Sequence, residues 1–95
     1  MLFAIYALDK TDSLDLRMAN RPAHFDYVEQ TGQVKAGGPL LAEDGETMIG
    51  SLAIVDVEDL EAAHTWSKGD PYRKAGLFQS VDIRAWKWLI GAPPA

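Results

Sequence analysis

Every residue from Leu2 to Leu8 is apolar or aromatic. Side chains alternate along a strand, so Leu2, Ala4, Tyr6 and Leu8 point one way while Phe3, Ile5 and Ala7 point the other. Both faces of this strand require cover. A chain of 95 residues has room for one core and one domain, taken here as 1–95.

The rest of the chain supplies the neighbours. Helical spacing begins at Ser13, with Leu14, Met18, Phe25 and Val28 near one stripe and Gly32 as C-terminal cap. Pro22 interrupts this segment, so either two short helices or one kinked helix is expected. Val34 to Leu41 and Thr47 to Val55 read as strands joined through Glu43-Asp44-Gly45, a hairpin. Asp56 is a suitable N-cap for a helix over Val57 to Ser67, with Gly69 ending it, and a last strand runs from about Leu77 to Trp88. Gly91 to Ala95 reads as a loose end. The order is β, α, β, β, α, β. This predicts an α+β, ferredoxin-like subunit with an antiparallel four-stranded sheet and two helices on one face. The second face is left apolar, so a homodimer packed sheet on sheet is expected.

Composition removes several functions. Nine basic against fourteen acidic residues, a net charge of -5, provide no field for a phosphate backbone, so nucleic acid is not an expected partner. The absence of cysteine excludes a disulfide framework, a thiolate metal site and a cysteine nucleophile, and makes the cytoplasm the expected location. No apolar run is long enough for a membrane span, and MLFAIYALDK lacks the basic leader of an export signal. The two histidines, His24 and His64, lie in no metal-ligand spacing, and no Walker, GxGxxG or GxSxG motif is present. Neither a metal nor an organic cofactor is expected.

Positions 17, 21, 24 and 28 fall on one side of a helix, so Arg17, Arg21 and His24 can face one space. Two guanidiniums beside an imidazole suit a small organic anion, because arginine offers a planar fork to carboxylate or enolate oxygens. The competing reading makes both arginines solvated charges paired with Asp12, Asp15 or Asp26. Asp70, in Gly69-Asp70-Pro71-Tyr72, is either a helix N-cap or the carboxylate that orients His24. Gly37-Gly38-Pro39 is a backbone approach site for a ligand or only a strand end, and Ser51 is a donor to a substrate oxygen or an interface serine. Tyr72 lines the space beside Asp70 or is simply a half-buried aromatic, while His64 reads as a structural or surface histidine. Trp86 and Trp88 read as packing residues at an edge or dimer rim.

Taken in order, Arg17, Arg21-Pro22-Ala23-His24, Gly37-Gly38-Pro39-Leu40, Gly50-Ser51-Leu52, Gly69-Asp70-Pro71-Tyr72, Ala75-Gly76-Leu77-Phe78 and Ile83-Arg84-Ala85-Trp86 resemble the YciI-like (YCII-related) family over nearly the whole chain. The resemblance implies a dimeric α+β barrel of ferredoxin-like subunits and a His-Asp pair in a cleft, here His24 and Asp70. It also implies small cyclic or halogenated compounds as substrates. The expected function is general acid-base proton transfer on a small organic anion, by elimination, isomerisation or lactone chemistry, with Arg17, Arg21, Gly37, Gly38, Ser51 and Tyr72 as substrate-binding residues. The alternative is a metabolite-binding or regulatory dimer without catalysis.

Overall fold

The computed structural model describes residues 1–91; the loose end expected over Gly91 to Ala95 lies, from position 92, outside them. Four strands, β1 (Leu2–Asp9), β2 (Val34–Leu41), β3 (Met48–Asp56) and β4 (Phe78–Trp86), alternate with α1 (Leu14–Thr31), α2 (Leu60–Gly69) and the short α3 (Pro71–Lys74). The sheet order is β2-β3-β1-β4 and every neighbouring pair is antiparallel, which is the ferredoxin-like arrangement. Among the described residues no helix is long and apolar enough to cross a membrane.

The doubly apolar strand β1 is central, between β3 and β4. Phe3, Ile5 and Ala7 pair across the ladder with Val55, Ala53 and Ser51 of β3 and with Ala85, Ile83 and Val81 of β4. Cross-strand partners share a face, and on this one Phe3, Ile5, Val55 and Ile83 join Val57, Ala63 and Trp66 in the core. The opposite face carries Leu2, Ala4, Tyr6 and Leu8 opposite Asp56, Ile54, Leu52 and Gly50. Among the described residues no helix covers it, and Tyr6, Leu52 and Trp86 are exposed there.

Of the two arrangements left open after Ser13, the structure has one helix, which runs through Pro22; two other helical expectations are corrected. Proline removes one i to i-4 bond, here to the carbonyl of Met18, a residue on the exposed side of the helix. The expected stripe is also turned. Leu14, Met18 and Phe25 are 43%, 43% and 53% exposed, and the buried residue of α1 is Arg17. Only Val28 of that stripe packs on the core. The second helix begins three residues later than expected, with Asp59 as its N-cap accepting from the Ala62 amide at 2.8 Å. Asp56 cannot serve because the backbone stays in the sheet region: its amide donates to the Gln33 carbonyl and that of Val57 to the Met1 carbonyl. The strand edges shift by one or two residues, Met48–Asp56 for β3 and Phe78–Trp86 for β4.

Gly50 pairs with Leu8 in the ladder between β1 and β3. A Cβ at this position would overlap the backbone carbonyl oxygen of Ala7, which the ladder holds in place. Gly50→Ala is expected to destabilise the fold by about 1–3 kcal/mol or more, read as a lower urea midpoint at unchanged slope.

Candidate active site

The site lies between α1 and the helix-side face of β2 and β3, a cleft with room for about 170 Å³. Its walls are mostly apolar, from Ile5 and Ala7 through Val28, Val34 and Met48 to Phe78, and the polar groups are few. Cavities near 150 Å³ accept a benzene-sized ring, so the scale suits a one-ring compound.

The 17, 21, 24, 28 spacing faces this cleft, since Arg17, Arg21, His24 and Val28 all line it. The Asp70-Pro71 step brings the other half. Residues before proline are held extended, and Asp70 sits at φ -62°, ψ 125°. Pro71 then opens α3. The Asp70 Oδ1 accepts from the Tyr72 amide at 3.0 Å and lies 2.8 Å from His24 Nδ1. One Asp70 oxygen thus both caps α3 and contacts the His24 ring. Asp70 is 5% exposed. An ionised carboxylate only accepts, so against it Nδ1 is the donor, and in the neutral form of the ring with that tautomer Nε2 holds the lone pair. Among the described residues Nε2 has no hydrogen-bond partner.

Tyr72, two residues on, is 2% exposed and stacks on the imidazole, with ring centroids 4.1 Å apart and planes 14° from parallel. One short segment thus holds His24 by its ring plane and by its Nδ1. Burial pushes the Tyr72 phenol above its ordinary value, while the charges of Arg17 and Arg21 pull the other way. The hydroxyl stays protonated through neutral pH.

Arg17 is 3% exposed, so the solvated reading does not hold for it, and its partner is none of Asp12, Asp15 or Asp26. Its Nε donates to Asp9 Oδ2 at 2.8 Å and its Nη2 to Asp9 Oδ1 at 3.2 Å. Nη2 further donates to the Gly50 carbonyl at 2.7 Å and the Ser51 hydroxyl at 2.6 Å. The Arg17 Cζ also lies 4.7 Å from the Tyr72 ring centroid. Much of this guanidinium is committed to the protein. Arg21 differs: it lines the cleft with no carboxylate in ion-pair range among the described residues, its Cζ 5.1 Å from the Phe25 ring.

Gly37, Gly38 and Ser51 line the same cleft, whereas His64 is exposed on α2, away from it. Asp9 is the residue the sequence reading passed over. A signal existed, because alternation along β1 places residue 9 on the side of Phe3, Ile5 and Ala7, where a carboxylate needs a cation. Ser67, 2% exposed and accepting from Arg73 Nη1 at 2.8 Å, is a second such residue. It carried no comparable signal.

Comparison with known proteins adds relatives to this geometry. The model of the YCII-related domain matches residues 1–87. The chain is 38% identical to Protein YciI of Escherichia coli O6:H1 over 95 residues, covering 92% of this chain and 97% of that one. It is 32% identical, over the same shares, to an uncharacterized protein of Haemophilus influenzae. Among solved structures, 5-chloro-2-hydroxyhydroquinone dehydrochlorinase (TftG) from Burkholderia phenoliruptrix AC1100, in complex with 2,5-dihydroxybenzoquinone, superposes with a TM-score of 0.82. That pair is 36% identical and covers 92% of this chain and 94% of the other.

Proposed function

Because the chain belongs to the YCII-related domain family, we propose that its cleft is the active site of a small-molecule enzyme in which His24 moves a proton and Asp70 orients it. The observation that carries this reading is the 2.8 Å contact of His24 Nδ1 with a buried carboxylate that leaves Nε2 free as a base beside the cleft. Arg21 is the cation available to an anionic substrate oxygen, and Gly37 and Gly38 form a wall that lets a flat ring approach the backbone. The volume suits a single ring. The dehydrochlorinase supports elimination as the first reaction to test: loss of HCl from a chlorinated hydroxyhydroquinone needs a base to take a proton as chloride leaves.

The test is the nitrogen NMR signature of the His24 ring. A neutral ring protonated on Nδ1 is expected in the native protein, with the tautomer populations mixing in Asp70→Asn. Equal populations of both tautomers in the native protein would sink the pair as an oriented base.

The working unit of this reading is a cytosolic homodimer joined through the open sheet face. Tyr6, at 44% exposure, with Leu52 opposite it and Trp86 on the same face opposite Leu2, supports this. Sedimentation equilibrium is expected to give twice the 10.4 kDa chain mass, and Tyr6→Lys to shift it toward one chain. A single-chain mass for the parent protein removes the dimer.

A further inference from the structure

Ser51 and Tyr72 line the cleft beside Arg17, which donates to the Ser51 hydroxyl and lies in hydrogen-bonding reach of the Tyr72 hydroxyl, and neither hydroxyl donates to an acceptor among the described residues. Arg17 explains the first. A guanidinium only donates, so the Ser51 oxygen, receiving Nη2 at 2.6 Å, must aim its own proton elsewhere. The same guanidinium lies over the Tyr72 ring, and burial keeps that phenol protonated. Neither hydroxyl is a sealed-in, unpartnered group: Ser51 is half-buried and its oxygen already accepts from Arg17. Two hydroxyl protons beside one cation, on the wall of a cleft, form a place for an oxygen.

We propose that the Ser51 and Tyr72 hydroxyls form an oxygen-binding subsite backed by the Asp9-Arg17 pair, which takes a ring oxygen as it gains negative charge. Arg17 thus acts as a positioning residue and not as a ligand to a free anion. Asp9 fixes its planar fork by two bonds, and that fork orients Ser51. The substrate class follows: a cyclic enol, phenol or quinol that offers one oxygen to this subsite while His24 Nε2 takes a proton from the same ring. In that step an O–H or C–H bond of the substrate breaks, a bond to Nε2 forms, and the electron pair left on the ring is stabilised at the oxygen held by the two hydroxyls. The inference rests on His24 being the base, but the subsite is measurable without turnover.

The probe is 4-nitrophenol, whose phenolate is coloured. Titration against the full-length protein is expected to show binding of the phenolate form, with colour persisting to lower pH than in free solution. Ser51→Ala and Tyr72→Phe are each expected to weaken phenolate binding about tenfold, as loss of one charge-assisted hydrogen bond does. Ser51→Thr, which keeps the hydroxyl, is expected to restore it, and His24→Ala to retain the colour shift. Both losing variants remove a single oxygen, and a cooperative thermal transition verifies folding. The proposal is overturned if 4-nitrophenol does not bind, if it binds as the neutral phenol, or if the two variants bind phenolate as the parent does while showing lower stability. The last result would make both hydroxyls mere partners of Arg17. Failure of the His24 tautomer test with the colour shift intact would remove the base and leave the subsite.

Discussion

His24→Ala is expected to lower kcat/KM for a proton-transfer substrate by roughly 10²- to 10⁴-fold, the usual contribution of one positioned acid-base group. The first substrate to assay is 5-chloro-2-hydroxyhydroquinone, followed by chloride release. Folding should survive, because the His24 side chain is 16% exposed and its removal opens the cleft rather than the core. The variant should still bind 2,5-dihydroxybenzoquinone, since Arg21 and the two hydroxyls remain. That combination, binding kept and turnover lost, separates an enzyme from a metabolite-binding protein. If the native protein binds such compounds and returns them unchanged, the non-catalytic reading takes over. If His24→Ala turns over a substrate within threefold of the parent, His24 is not the base.

The largest effect on stability is expected at Asp9. Its side chain is 6% exposed and that of Arg17 is 3% exposed, so the pair is desolvated on both sides. Asp9→Ala leaves a buried guanidinium with only the Gly50 carbonyl and the Ser51 hydroxyl for partners. Removing one member of a buried pair costs about 3–5 kcal/mol, against total stabilities of about 5–15 kcal/mol for native domains. In a chain this short the fall in Tm should exceed about 10 °C. The control is the double variant Asp9→Leu with Arg17→Met. Apolar replacement of both partners is often neutral or better, so most of the lost stability should return, while phenolate binding should not. A loss below about 1 kcal/mol in Asp9→Ala would show that Arg17 finds enough water in the cleft to do without its partner.

Exposed and buried arginine are hard to tell apart in a sequence, and α1 shows why. Long charged side chains are mostly at the surface, so Leu14, Met18 and Phe25 read as the inward stripe, while Arg17 stood open between a solvated charge and a cleft residue beside His24. The structure turns the stripe outward and buries Arg17, because a cation can be buried wherever a strand end supplies a carboxylate, and Asp9 does so from eight residues away across a turn. The same difficulty applied to Asp70. Its capping role was legible in Asp-Pro-Tyr, but the imidazole that shares its oxygen lies 46 positions away in sequence.

The order of strands and long helices, the hairpin, the two-sided apolar character of β1 and the open apolar face were decided by the sequence itself. Strand alternation, proline and glycine are local rules, and a seven-residue apolar run obeys them without knowing its neighbours. The set 17, 21, 24, 28 was likewise local, a consequence of 3.6 residues per turn. What the tertiary structure alone decided was which way that helix faces and which charges are neutralised. Both depend on the balance between desolvation and pairing across long sequence separations, and only when α1 lies on the sheet does Asp9 meet Arg17 and His24 meet Asp70. The chemistry of the cleft was drawn from those two meetings, so the sequence held its candidate residues but not their pairing.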